Sequence, residues 1–293
     1  MDKILLINDK EIYNQRYRSC LMKYLRDRKI EVLSLGVFDN PIKFVLVVLK
    51  NYFNSIFFSS NLKANLILLL ILKSKKVILF NGLGRYREAR YFRLLIIFLI
   101  RLNQNQTIIF QNYADYRYFS RYSAVSVYWV PGSGGVVRKV GYENNLIIVS
   151  RDSKLETISK SILAFDDATK NSYEFVIVGC NDLVTFKFLG ELNKVNSIGY
   201  QLQSDIFKNG SLFFQPSGYG EGVPHTLVDA IVSGMEVIIN KKDFIRYGLY
   251  KIEFSYAPVT GSWIRILPNQ AGKFNLEGTA VNEKYFRLIN KVK

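Results

Sequence analysis

Two series of short apolar runs, separated by a glycine-rich break, constrain this chain more than any other feature. Ile4–Ile7, Glu31–Leu35, Val77–Asn81, Ile108–Gln111 and Val127–Val130 read as strands, with Arg16–Arg28 as a helix between the first two. Pro131-Gly132-Ser133-Gly134-Gly135 then interrupts the pattern with residues that end regular structure. A second series follows at Leu146–Ser150, Phe175–Gly179, Asn196–Gly199, Leu212–Gln215 and Val237–Asn240, again with helical stretches between. Apolar strands alternating with helices need crossover connections, and these give parallel, doubly wound sheets with both faces covered. Two series imply an α/β chain of two such domains, 1–142 and 143–278. The last stretch, Asn282–Lys293, reads as a helix, so that 279–293 is expected to return to the first domain. A length of 293 residues suits two domains of ordinary size.

Charge is divided unequally between the two series. Residues 1–140 hold 23 lysines and arginines against 8 acids, and residues 141–293 hold 17 against 16. Nearly all of the net +16 therefore sits in the first half. Such asymmetry points to an anionic partner for that half, either nucleic acid or an acidic membrane surface; a solvated basic surface is the plain alternative. The sequence shows no helix-turn-helix, zinc-finger or RNP pattern, so no nucleic-acid partner is expected.

Arg85–Arg101 concentrates the asymmetry. Arg85, Arg87, Arg90 and Arg93 precede Leu94–Ile100, giving a helix with a basic start and an apolar end. It reads either as a segment lying in a membrane interface or as a core helix with a solvated end. No stretch reaches the roughly 18 to 20 apolar residues of a membrane span, and the N-terminal apolar run is too short for a signal peptide. Cys20 and Cys180 lack metal-ligand spacing, and no His/Asp/Glu cluster suggests a metal. The only histidine, His225, reads as a solvated or capping residue.

Chemistry concentrates in 213–230. An apolar strand ends at Gln215, a loop with Gly218, Gly220 and Gly222 follows, and a helix starts near Pro224 and stops at Gly234. Free amides at the start of that helix, with its dipole, favour a diphosphate. Glu221 and Asp229 flank this end and can accept hydrogen bonds from sugar hydroxyls. An ordinary strand–turn–helix with solvated acids is the alternative reading.

Pro216-Ser217, Glu221-Gly222-Val223-Pro224 and Asp229 resemble the signature of the family 4 glycosyltransferases. Further segments resemble the branch of that family that builds bacterial surface polysaccharides (O-antigen and capsule): Asn81-Gly82-Leu83-Gly84, Phe110-Gln111-Asn112, Pro131-Gly132-Ser133-Gly134, Ile177-Val178-Gly179 and Gly199-Tyr200. Together they cover most of 77–240. The resemblance implies a GT-B fold, two Rossmann-like domains facing across a cleft, and retaining transfer from a nucleotide sugar, with UDP-sugar as the expected donor. By the same resemblance Glu221 touches the donor sugar, Asp229 holds the ribose, and the amides of Thr226 and Leu227 hold phosphate. Gly82, Gly84, Gly179, Ser217 and Gly222 would line the donor site, and Arg151 with Lys154 would meet the diphosphate as the cationic part of the catalytic set.

The sequence departs from the family in four places. Arg151 and Lys154 are three apart where the family places them five apart, and the second acid is aspartate rather than glutamate. Asn8–Gln15 lacks the glycine-rich first loop, and the chain is short after Asn240. The implied acceptor is a polyprenyl-diphosphate-linked saccharide, with the protein peripheral on the cytoplasmic face of the membrane and no cofactor or metal. Two other readings remain: a GT-B-like partner subunit with little or no catalysis, and a basic nucleic-acid-binding protein.

Overall fold

The computed structural model describes residues 3–72, 74–103, 106–122, 126–169, 173–181, 195–217 and 222–292, with Arg85 described by its backbone alone. The chain divides into two compact units, each around its own sheet.

The first unit holds a six-stranded, all-parallel sheet in the order β2-β1-β3-β4-β5-β6. The strands are β1 (Lys3–Asn8), β2 (Glu31–Gly36), β3 (Ile56–Ser60), β4 (Lys76–Phe80), β5 (Gln106–Phe110) and β6 (Val127–Trp129). The apolar runs of β1, β3, β4 and β5 are buried because helices cover both faces, as parallel crossovers require, while the edge strands β2 and β6 are only partly buried. On one face lie α3 (Pro41–Asn51), α4 (Leu62–Leu70), α5 (Arg90–Arg101) and α6 (Tyr113–Ser120). The other face holds α2 (Ser19–Asp27), preceded by α1 (Glu11–Tyr17), and the C-terminal α11 (Gly278–Asn290). Val281, Tyr285, Leu288 and Ile289 recur at helical spacing and fill the core beside Leu21 and Leu25.

Local chemistry sets several boundaries. The side chains of Asn40 and Asn112 accept from the amides of Lys43 and Ala114, capping α3 and α6, and Pro41 opens α3. The expected helix Arg16–Arg28 is two helices, because Arg18 leaves helical geometry at φ −128°, ψ 8°. The expected helix over 85–101 starts only at Arg90; Gly84–Tyr86 is a separate 3-10 turn. Lys76 is buried, and its ammonium donates to the carbonyls of Leu68 and Ile71 near the end of α4 and to Asn103 Oδ1. Burial pushes that ammonium down to about 8.

The second unit holds seven strands in the order β12-β13-β11-β10-β7-β8-β9. β7 (Leu146–Val149), β8 (Phe175–Val178), β9 (Val195–Ser197), β10 (Leu212–Gln215) and β11 (Glu236–Asn240) are parallel. The hairpin β12 (Ser255–Thr260) and β13 (Trp263–Leu267) adds two antiparallel edge strands. Phe165 of α7 (Leu155–Thr169) packs among Phe175, Phe214 and Trp263 to form the core. α8 (His225–Val232), α9 (Lys241–Tyr247) and α10 (Gln270–Leu276) complete the unit.

The boundary falls between Gly134 and Gly135, earlier than the 142/143 division read from the sequence. Residues 135–138 are tied to the second unit by hydrogen bonds: the Gly135 amide donates to Leu276 O at 2.8 Å, and the Val136 amide to Asp229. The chain returns to the first unit at Gly278, and Gly222 and Val223 also group with that unit. Among the described residues no helix is long and apolar enough to cross a membrane.

Candidate functional site

In a parallel α/β sheet the loops leaving the carboxyl ends of the strands form the binding edge. In the second unit β7 and β10 are parallel neighbours, so the segments that leave them start side by side. Arg151 directly follows β7, and a 3-10 turn, Asp152–Lys154, leads into α7. Arg151 is exposed and makes no ion pair among the described residues; Lys154 is half-buried. From β10 the chain passes through Ser217, whose amide donates to Ser161 Oγ of α7 at 3.1 Å. Thr157, Lys160, Ser161, Ser217, Asn240 and Trp263 border an open cleft of about 440 Å³ beside this exit.

β8 ends in Gly179, whose amide donates to Gly199 O at 2.7 Å. Its φ is +92°, and a Cβ there would stand 2.3 Å from Ser150 O. Only glycine allows the ends of β7 and β8 to close in this way, leaving bare backbone on the edge.

α8 begins at His225 after Pro224, in extended geometry, with no side-chain cap. The first amides of a helix lack intrahelical acceptors, so this start is an anion-attracting end. Thr226 is half-buried and Leu227 fully buried on that first turn.

Asp229, one turn later, is occupied by its own unit. Its Oδ1 accepts the Val136 amide at 2.9 Å, and Oδ2 accepts Arg138 Nε and Nη2 at 3.1 and 3.0 Å. Burial pushes the carboxyl above its ordinary range, against the amide and the guanidinium, which favour the charged form. The structure thus gives Asp229 the role of a pin between α8 and the segment after the glycine-rich break.

Of the remaining sequence-derived positions, Glu221 lies outside the described residues. Gly82 and Gly84 lie in the first unit, on the turn after β4. Gly222 groups with that unit too, and a Cβ on it would meet Asn81 O at 1.8 Å, so no larger residue fits this contact. Arg85, Arg87, Arg90 and Arg93 do not form one basic helical face: Arg85 lies in the 3-10 turn, Arg87 pairs with Glu88 at 3.7 Å, and Arg93 stacks over Tyr118 at 4.3 Å. Among the described residues no three His, Cys, Asp or Glu side chains gather as metal ligands would.

Sequence reasoning missed two residues. Arg138 had no visible signal, since nothing local relates it to Asp229. Arg18, in the first unit, is buried among Ser133, Asn81 and Tyr17 O. The resemblance segments Asn81-Gly82 and Gly132-Ser133 supply two of its acceptors, and Gln111 donates to Ser133 beside it, but nothing in their pattern relates them to Arg18.

No protein-family model and no curated protein matches this sequence. Solved structures do. TarM aligns over 66% of this chain and 43% of its own, at 16% identity and a TM-score of 0.51. A chain of the GtfA/B complex aligns over 86% of this chain and 60% of its own, at 10% identity and a TM-score of 0.51. This chain thus spans less than two thirds of the length of either. Both are GT-B glycosyltransferases, and two Rossmann-like units with a returning C-terminal helix give this chain the GT-B fold.

Proposed function

We propose that this chain is a retaining glycosyltransferase that moves a sugar from a nucleotide-sugar donor, a UDP-sugar, to a lipid-linked saccharide. The supporting observation is the carboxyl edge of the second sheet. Neighbouring strands β7 and β10 bring Arg151, the turn to Lys154 and Ser217 to one edge of a unit that also holds the uncapped start of α8. Fixed cations and backbone dipoles there stabilise charge that develops on a departing diphosphate, in place of a metal. Glu221, just before α8, is the residue we assign to the donor sugar. The acceptor is a polyprenyl-diphosphate-linked saccharide, and the protein works peripherally at the cytoplasmic face of the cell membrane.

One observation favours a second reading, a GT-B partner subunit without catalysis of its own: both oxygens of Asp229 are engaged by Val136 and Arg138.

The test is turnover of UDP-sugars, with and without chelator, by the parent and by Glu221→Gln. We expect metal-independent release of UDP by the parent, and loss of at least about 100-fold in the variant with an unchanged unfolding temperature. A parent that binds UDP but turns over no donor supports the partner reading. A variant with parental turnover removes Glu221 from the site.

A further inference from the structure

We propose that the outer faces of α3 and α5 form a membrane-docking surface that seats the first unit in the interface of an anionic bilayer. α3, α4 and α5 cover one face of the first sheet, and each already buries an apolar side there: Phe44 and Val48, Leu68 and Leu69, Ile96 and Ile100. α3 and α5 carry a second apolar side that nothing in the unit covers. On α3 and the turn after it, Ile42 is 75% exposed, Leu49 66% and Phe53 86%. On α5, Tyr91 is 88% and Phe98 58% exposed. Val45, Leu46, Leu94 and Leu95 are exposed between them, at the three- and four-residue spacing that lines up one side of a helix. A helix apolar on both sides is buried in something, and clustered exposed apolar residues mark a surface that meets a partner.

The charge around this surface identifies the partner. From Pro41 to Asn103 the sequence carries eleven lysines and arginines and a single acid, Glu88. Lys43, Lys50, Lys63 and Arg90 are exposed on the same helical layer. A second copy of the chain would bring like charges together. A nucleic acid would meet leucine and phenylalanine where it needs hydrogen-bonding groups. An anionic bilayer offers phosphate to the cations and hydrocarbon, a few ångströms below, to the aliphatic side chains. No described helix can cross a membrane, so the contact is interfacial.

This differs from an arginine-led attachment. Arg87 and Arg93 already have partners in Glu88 and the Tyr118 ring, and the apolar contribution of α3 is at least as large as that of α5. The surface would locate the acceptor side of the proposed transfer, yet it rests on the first unit alone. Vesicle binding is read without donor or acceptor, so its failure leaves the transferase reading standing, and the reverse also holds.

The experiment floats the full chain with vesicles of phosphatidylglycerol and phosphatidylcholine, and with phosphatidylcholine alone, at low and high salt. We expect binding to the anionic vesicles, weak binding to the neutral ones, and a bound fraction that salt reduces without abolishing. The triple variant Leu49→Gln, Phe53→Gln, Phe98→Gln should lower partition by roughly tenfold or more, since each apolar side chain withdrawn from the acyl boundary removes its own share of burial. A second variant, Phe53→Trp, needs no loss of function to be informative. Relative to the parent, its emission should shift to the blue on anionic vesicles and be quenched by brominated acyl chains. Unchanged Phe53→Trp emission, or parental flotation by a folded triple variant, overturns the proposal. So does a parent that ignores vesicles but forms a dimer which the triple variant abolishes; that result assigns the face to a second copy. If the triple variant does not fold, Phe53→Trp decides alone.

Discussion

The two units place guanidinium groups inside protein by opposite means. In the second, Arg138 meets a carboxylate: Asp229 takes it with two N–H donors, and the Arg138 amide donates to Ser233 Oγ at 2.8 Å. In the first, Arg18 is 2% exposed and meets no carboxylate among the described residues. Its Nη1 donates to Ser133 Oγ and its Nη2 to Asn81 Oδ1 at 2.9 Å, while Nε finds no partner there. Burial pushes the Arg18 pKa down. Both arginines fasten the glycine-rich break, from opposite sides of the domain boundary. Arg138 holds the segment after it to α8 by charge. Arg18 holds Ser133, before it, through a neutral network in which Gln111 Nε2 donates to Ser133 Oγ at 2.8 Å and Tyr285 OH donates to Gly132 O at 2.7 Å. A paired charge is expensive to break from one side, whereas a neutral network loses its bonds one at a time.

That contrast predicts the largest effect for Arg138. Arg138→Met leaves the buried Asp229 carboxylate with only the Val136 amide, and should cost about 3 kcal/mol of stability, the lower range for an orphaned buried charge. Denaturant unfolding measures it. Combining Arg138→Met with Asp229→Met should cost less than the sum of the two single changes, because no charge is then stranded. Additive losses would mean that the pair contributes by packing alone, and the comparison with Arg18 would lose its basis.

Arg18→Met should cost less, about 1 to 2 kcal/mol. The change removes a cation that was itself unfavourable to bury, and the acceptors it abandons are neutral. Ser133 keeps Gln111 as a donor, and Asn81 keeps its own bond to Asn61 Oδ1 at 2.9 Å. A loss as large as that of Arg138→Met, in the same unfolding assay, would show that a hidden counter-charge accompanies Arg18.

Much of this fold was legible in the sequence, and the misses have physical causes. β10 and α8 could be read because Phe213-Phe214-Gln215 ends at a proline and the helix lies between Pro224 and Gly234. β3 could not: Ile56–Ser60 lies in an apolar stretch shared with α3 and α4, where periodicity cannot separate strand from helix. The hairpin β12–β13 departs from the parallel pattern, although Gly261, at φ +49°, marked its turn. The compact units divide earlier than 142/143, because loop chemistry shows where regular structure stops and says nothing of which unit the following residues join. Of the region read as the site, the strand β10 and the helix α8 were legible from local pattern. The Arg138–Asp229 pair was not, since 138 and 229 are related only through tertiary packing. The arginines of 85–93 read as the basic start of one helix; the 3-10 turn and the late start of α5 disperse them.

Arg151 adds an exposed arginine to the comparison. It is exposed at the end of β7 and forms no ion pair among the described residues. An exposed, unpaired side chain contributes little to stability, so Arg151→Ala should leave the unfolding free energy within about 0.5 kcal/mol of the parent. Its effect should appear only with ligand. If the carboxyl edge of the second sheet holds a diphosphate, Arg151→Ala should weaken UDP binding by roughly 1.5 to 3 kcal/mol, the range for a hydrogen bond to a charged group. Uridine, which lacks the phosphates, should bind parent and variant alike. Titration calorimetry with both ligands separates the cases. Equal losses for UDP and uridine would mean that the substitution disturbed the base or ribose site, and no loss for either would remove Arg151 from the donor site. A loss confined to UDP, with stability unchanged, would complete the comparison: arginines held inside by Asp229 or by Ser133 stabilise the protein, while Arg151, exposed at the end of β7, serves the ligand.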